Sequence, residues 1–262
     1  MSDNLIEIQN VSHSYGKVHV LKNVNLEIHR GEFVAIVGPS GCGKTTLLNL
    51  ISGYENPGSG KIIRTGESRM VYQQDGLFPW LTVVENIGLG LRHLKNRSQI
   101  RKQVDDAIEL IGLQGFEDHY PHQLSGGMRQ RVELARALSG DSDLLLMDEP
   151  FSALDYITRL KMRNELVRFL RERPRTVVLV THDIEEVAQL ADRVIPLTTR
   201  PATILEQKHI DLERPRSLTD PVVTNTVHEL LTLLNLESGN GHPDSETDLI
   251  SSDTDTTSER GK

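Results

Sequence analysis

Apolar residues in this chain follow two different periods, and the change between them divides it. Ile6 and Ile8, then Val24, Leu26 and Ile28, alternate with polar neighbours. That is the period of strands buried on one face only, so the opening region is predicted to be antiparallel β-structure. The runs Phe33 to Val37, Leu144 to Met147 and Val177 to Val180 are instead short and continuously apolar, as expected of strands covered on both faces in a parallel sheet. Met70-Val71-Tyr72 reads as a further short strand. Leu160 to Leu170 is helical in pattern, as are Ile184, Val187, Ala188 and Ala191, which gives a strand-helix-strand alternation. Between about Thr82 and Leu138 the chain is charged and helix-rich with no comparable strand run, so a helical subdomain is predicted to be inserted there. Val223, Val227, Leu230, Leu231 and Leu234 are spaced for one amphipathic helix whose stripe packs on the core.

Composition changes this picture little, except at the end of the chain. Glu237 to Lys262 holds seven acidic residues against Arg260 and Lys262, so it carries −5 of the formal net charge of −8. With Leu249 and Ile250 almost its only apolar residues, this tail is expected to be disordered. The division is therefore a globular unit over 1–236 and an acidic tail over 237–262. The nearly balanced body is poor support for nucleic-acid binding. The apolar runs are far shorter than the eighteen or more residues of a membrane helix, the start has no signal-peptide pattern, and Cys42 is the only cysteine. A cytosolic location is expected.

The chemistry-bearing segments follow the continuously apolar runs. Gly38-Pro39-Ser40-Gly41-Cys42-Gly43-Lys44-Thr45 fits the pattern G-x-x-x-x-G-K-[ST], directly after a buried strand and before the helical Thr45-Thr46-Leu47-Leu48. Its glycines let backbone N–H groups turn toward an anion. Lys44 adds a point charge for the β and γ phosphates, and the Thr45 hydroxyl reaches Mg²⁺. This loop alone does not separate a kinase from a GTPase or a motor.

Asp148 and Glu149 end the second run, where unpaired carboxylates are costly unless they hold a metal or a proton. Asp148 is assigned to Mg²⁺ and Glu149 to polarising the attacking water. Gln73 follows the Met70-Val71-Tyr72 strand and His182 follows the third run, so four strand ends converge on one phosphate. Gln73 is assigned to orienting water or Mg²⁺, and His182 to the γ-phosphate. Ser125-Gly126-Gly127 opens a further helix, with Ser125 a good N-cap and the helix end able to take an anion.

Taken together these residues resemble the nucleotide-binding subunits of ATP-binding cassette (ABC) transporters, from roughly Leu5 to Leu205. The resemblance implies an α/β fold: a RecA-like P-loop NTPase parallel sheet with an N-terminal antiparallel β subdomain and an inserted helical subdomain. It implies that Tyr15 stacks on adenine, that Gly38 to Thr46 hold the phosphates of ATP, and that Gln73 is the Q-loop glutamine. Ser125-Gly126-Gly127 would be the signature, Ser152-Ala153-Leu154-Asp155 the D-loop and His182 the switch histidine. In this family the signature of one subunit closes on ATP held by the phosphate loop of another, so the expected partner is a second ATP-binding subunit, identical or paralogous. Met128 stands where many relatives have glutamine. The stretch Gly60 to Tyr72 is short, which suggests a trimmed hairpin in the antiparallel subdomain.

Leu77-Phe78-Pro79-Trp80-Leu81-Thr82, the signature segment through Arg131, Arg200-Pro201 and Arg214-Pro215-Arg216 are similar to importer subunits for nitrate, sulfonate, taurine or bicarbonate. That narrower resemblance implies permease subunits, an extracytoplasmic solute-binding protein, and a peripheral place on the cytoplasmic face of the membrane. Phe78 and Trp80 are read as anchors for the permease, with core packing the equal alternative for Trp80. An exporter ATPase of the same family, a soluble ATPase and a P-loop kinase are the competing readings.

Overall fold

A computed structural model describes residues 4–72 and 76–234; Gln73 and the tail from 237 onward lie outside the described residues. Strands β1 (Asn4–Tyr15) and β2 (Val18–His29) form an antiparallel pair in which Ile6 meets Ile28 and Ile8 meets Leu26. The alternation read from the sequence thus turns the same apolar side inward on both strands. Strand β3 (Phe33–Val37) leads through the glycine-rich loop into helix α1 (Lys44–Ser52). Strand β4 (Ser59–Arg64) returns to pair with β1, and β5 (Ser68–Val71) joins a different sheet beside a later strand. The short Gly60 to Tyr72 segment therefore feeds one strand to each sheet, and the antiparallel sheet is three-stranded, in the order β2-β1-β4.

Helices α2 (Val83–Gly88), α3 (Arg97–Leu110) and α4 (Gly126–Ser139) follow before β6 (Leu144–Asp148). They form the inserted helical subdomain. Thr82 starts it with a reciprocal cap, its hydroxyl accepting from the Glu85 N–H while Glu85 accepts from the Thr82 N–H. The chain then alternates through α5 (Tyr156–Glu172), β7 (Thr176–Val180), α6 (Ile184–Leu190) and β8 (Arg193–Pro196), and ends with β9 (Lys208–His209) and α7 (Pro221–Leu233). The second sheet runs β5-β6-β7-β3-β8-β9, parallel except for β9.

The continuous apolar runs have their physical reason here. Phe33, Ala35 and Val37 face a core shared with α4, α5 and α6, while Val34 and Ile36 face a second core built with β1, β2 and α1. A strand covered on both sides has no solvent face on which to place a polar residue. The polar parts of these strands are their ends, and the carboxyl ends of β3, β6 and β7 all open on one side. Helix α7 packs on α6 with Val223 and Leu230 buried. Among the described residues no helix is long and apolar enough to cross a membrane.

Candidate active site

The loop after β3 is held in shape from inside. The Lys44 ammonium is buried and donates to the carbonyls of Gly38 (2.8 Å) and Pro39 (3.1 Å), so the lysine crosses its own loop. Gly43 has φ +123°, and a Cβ there would come within 2.7 Å of Val20 Cγ1; only glycine fits against β2 at this point. Helix α1 has Gly43 as its N-cap, and among the described residues no side chain caps it, an arrangement that suits an anion at the first N–H groups. Cys42 is buried under the loop, and burial pushes its thiol up.

At the end of β6, Asp148 is 3% exposed and, among the described residues, its Oδ1 has no hydrogen-bond partner. Desolvation pushes its carboxyl up, the neighbouring Glu149 adds to this, and the Thr45 hydroxyl and the Lys44 charge pull the other way. A buried, half-satisfied carboxylate beside a threonine hydroxyl is a donor set that suits a hard divalent cation such as Mg²⁺. Glu149 adopts φ +49°, an uncommon conformation for a residue with a side chain. Its N–H donates to Val180 O (2.8 Å), and its Oε1 lies 3.0 Å from His182 Nδ1. The neighbouring ends of β6 and β7 thus bring Glu149 and His182 into contact.

Ser125 is exposed and caps α4, its hydroxyl accepting from the Met128 N–H (3.2 Å). The capping bond uses the Met128 backbone, so the side chain at 128 does not enter it. A Cβ on Gly127 would meet Ala153 O at 3.1 Å, so the signature turn rests directly on the loop that precedes α5. Asp155 ends that loop and caps α5 through the Thr158 N–H (3.0 Å). Among the described residues no hydrogen bond or ion pair joins Ser125, Gly126 or Gly127 to Gly38–Thr46. Tyr15 is half exposed, donates to Glu55 Oε2 (2.5 Å) and touches the Thr46 hydroxyl. Its ring meets that of His13 edge to face, the centroids 4.8 Å apart.

Phe78 and Trp80 are not core residues. Their rings lie 5.3 Å apart, with Trp80 69% exposed and the Arg136 guanidinium over Phe78.

A family model described as ABC transporter matches residues 21–152. The chain is 47% identical to the uncharacterized ABC transporter ATP-binding protein MJ0412 of Methanocaldococcus jannaschii, over 78% of this chain and 79% of that protein. This chain is an ATP-binding subunit of the ABC transporter family. Other similar relatives are an aliphatic sulfonates import ATP-binding protein of Rhodococcus jostii and a taurine import ATP-binding protein of Pelagibacter ubique. The first is 45% identical over 86% of this chain and 91% of its own length, the second 42% over 83% and 88%. A dimeric structure of the ATP-binding cassette MJ0796, in a post-hydrolysis state bound to ADP and phosphate, superposes with a TM-score of 0.71 at 34% identity. It covers 79% of this chain and all of that one.

Two features of this ABC subunit escape the motif reading. One is Gln130, buried on α4 and bonded to the loop after β6. The other is an ionic cluster behind His182, where Asp183 pairs with Arg159 (3.1 Å) and with the buried Arg163. Glu186 lies 3.8 Å from Arg163 and accepts from the Thr181 hydroxyl (2.8 Å). Arg159 also donates to Leu154 O (3.2 Å), which ties the cluster to the segment before Asp155. The only signal in the sequence is that Arg159, Arg163, Asp183 and Glu186 fall near the apolar faces of two helices.

Burial pushes the Glu186 carboxyl from its ordinary 4.5 up to about 7, against the pull of Arg163 and the Thr181 hydroxyl. The folded chain therefore holds this proton more tightly than the unfolded chain does. The associated stability is full below about pH 4.5 and is lost as pH rises to 7, an effect on the order of 3 kcal/mol. At Asp183, burial raises the carboxyl, but the Glu186 N–H and the two arginines outweigh it and hold the group below its usual range. Its stability change falls at lower pH than that of Glu186. Thermal unfolding measured from pH 4.5 to 7.5 should show Glu186→Gln with a flatter profile than the unmodified chain; parallel profiles would contradict the assignment.

Proposed function

We propose that this chain binds and hydrolyses ATP to drive import of a small anion of the sulfonate, taurine, nitrate or bicarbonate type through separate membrane subunits. The observation that carries the reading is the meeting of Lys44, Thr45, Asp148, Glu149 and His182 at the carboxyl ends of one parallel sheet. The import names of the sulfonate and taurine relatives support the choice of cargo class. The dimeric MJ0796 cassette supports a paired assembly.

In this scheme Gly38, Pro39, Ser40, Gly41, Cys42, Gly43, Lys44, Thr45 and Thr46 wrap the phosphates, and Tyr15 stacks on the base. Thr45, Asp148 and Gln73 would hold Mg²⁺, which would supply positive charge to offset that of the phosphates. Glu149 takes a proton from water as its oxygen attacks the γ-phosphorus. The bond to the β-phosphate oxygen breaks, giving ADP and phosphate, and His182 orients Glu149 and contacts the γ-phosphate. Ser125, Gly126, Gly127 and Asp155 face the nucleotide of a partner subunit, identical or paralogous. The reason for that choice is that Ser125 is exposed and, among the described residues, no hydrogen bond joins it to its own phosphate loop. Phe78 and Trp80 seat the membrane subunit, which places the chain on the cytoplasmic face of the membrane. An extracytoplasmic solute-binding protein delivers the anion.

Uptake of nitrate, bicarbonate, taurine and alkylsulfonates by cells lacking this chain tests the proposal. Loss of one of these activities, restored by the intact chain and recovered with a multi-spanning membrane partner, is the expected result. Unchanged uptake of all four, or recovery with ribosomes or DNA instead, would refute it.

A further inference from the structure

Gln130 sits five residues beyond Ser125 on α4 and is 5% exposed. Its Nε2 donates to Glu149 O (3.0 Å) and its Oε1 accepts from the Ala153 N–H (3.0 Å). Only this orientation of the amide satisfies both contacts, since a carbonyl cannot donate and an N–H cannot accept. The Glu149 carbonyl also accepts from Ser152, through its hydroxyl (3.0 Å) and its N–H (3.2 Å). These bonds converge on a residue whose φ of +49° is unfavourable for a side-chain-bearing residue. Such a conformation persists only where its surroundings over-determine it. The Gln130 clamp is thus part of what fixes Glu149 in its left-handed conformation, and with it the side chain that reaches His182.

One turn back along the same helix, Gly127 packs closely on the 150s loop, where a Cβ would lie 3.1 Å from Ala153 O and 3.2 Å from Leu154 Cδ2. The tip of α4 and the loop from Glu149 to Leu154 are therefore joined at two points, by the close approach at Gly127 and by the two Gln130 bonds.

We propose that Gln130 is a positioning residue for ATP hydrolysis, linking the Ser125-Gly126-Gly127 tip to the backbone of Glu149. The inference rests on the reading above, in which that tip faces the partner's nucleotide while Glu149 serves the chain's own. On that reading each α4 spans two sites. Closure of its tip on one γ-phosphate is transmitted through Gln130 to the base acting on the other, which gives cooperativity between the two ATP molecules.

The test compares Gln130→Met, of similar size but without hydrogen bonds, and Gln130→Glu, which keeps the acceptor for Ala153 N–H and loses the donor to Glu149 O. Both are assayed for ATP hydrolysis in the full chain with its membrane partner, beside Glu149→Gln as a control. Both variants should lower kcat about tenfold or more, leave KM within about twofold, and bring the Hill coefficient for ATP toward unity. If Gln130→Met does not fold, Gln130→Glu reads the same three quantities. Unchanged kcat and Hill coefficient in a folded variant would overturn the inference, as would a rise in KM alone. If Glu149→Gln also hydrolyses ATP normally, the hydrolytic scheme itself has failed; if only the Gln130 variants do, the fault lies with the clamp.

Discussion

Glu149→Gln binds ATP as the unmodified chain does, hydrolyses it about 10²–10⁴-fold more slowly, and accumulates as an ATP-bound dimer. The substitution conserves size, and the backbone contacts at this position, from the Glu149 N–H to Val180 O and from Gln130 and Ser152 to its carbonyl, do not involve the side chain. What disappears is a carboxylate able to accept the proton of attacking water. The phosphate loop is untouched, because Lys44 is braced by Gly38 and Pro39 and not by Glu149. In the proposed paired assembly the γ-phosphate is what joins the two copies, so leaving it intact should leave that assembly closed. Size-exclusion chromatography with and without Mg²⁺-ATP, together with single-turnover phosphate release, measures both effects. Monomers alone in the presence of ATP, or turnover near the unmodified rate, would contradict the assignment of the base.

Much of this architecture is legible from local pattern because its strongest constraints are local. Phe33 to Val37 is apolar throughout because both of its faces are covered, and the loop that follows must be rich in glycine because a Cβ at Gly43 would strike Val20. Asp148 stands out for the same reason, a charge placed where the strand pattern permits none. Contacts between distant segments leave no such mark. Gln130 is one polar residue in a charged helix, and its role exists only because the end of β6 packs beneath it.

Arg216 shows a different limit. Its segment, Arg214-Pro215-Arg216, is visible as a motif, yet its physical role is not. In the fold its guanidinium is buried and donates to the carbonyls of Ala188, Ala191 and Ile210, while its Nε donates to Leu212 O, closing the end of α6. Carbonyl partners carry no sequence identity, so no pattern of side chains could have announced them. The two readings of Trp80 are likewise inseparable by sequence, since an aromatic residue before a capped helix suits either a core or a surface. Its exposure removes the core reading.

Lys44→Ala should act on binding where Glu149→Gln acts on chemistry. The ammonium is buried and already spends two of its donors on the loop carbonyls of Gly38 and Pro39. Its removal therefore has two effects, loss of a positive charge beside the phosphates and loss of the brace that keeps the loop open for them. A hydrogen bond to a charged group contributes about 1.5–3 kcal/mol, so nucleotide affinity should fall roughly ten- to hundredfold. Lys44→Arg separates the two effects. It keeps the charge, but its planar fork cannot place single donors on two adjacent carbonyls in the lysine's geometry. If the brace dominates, Lys44→Arg binds ATP as weakly as Lys44→Ala; if the charge dominates, it recovers most of the affinity. Titration calorimetry with ATP distinguishes these outcomes, and an unchanged dissociation constant for Lys44→Ala would remove the lysine from the phosphate site altogether.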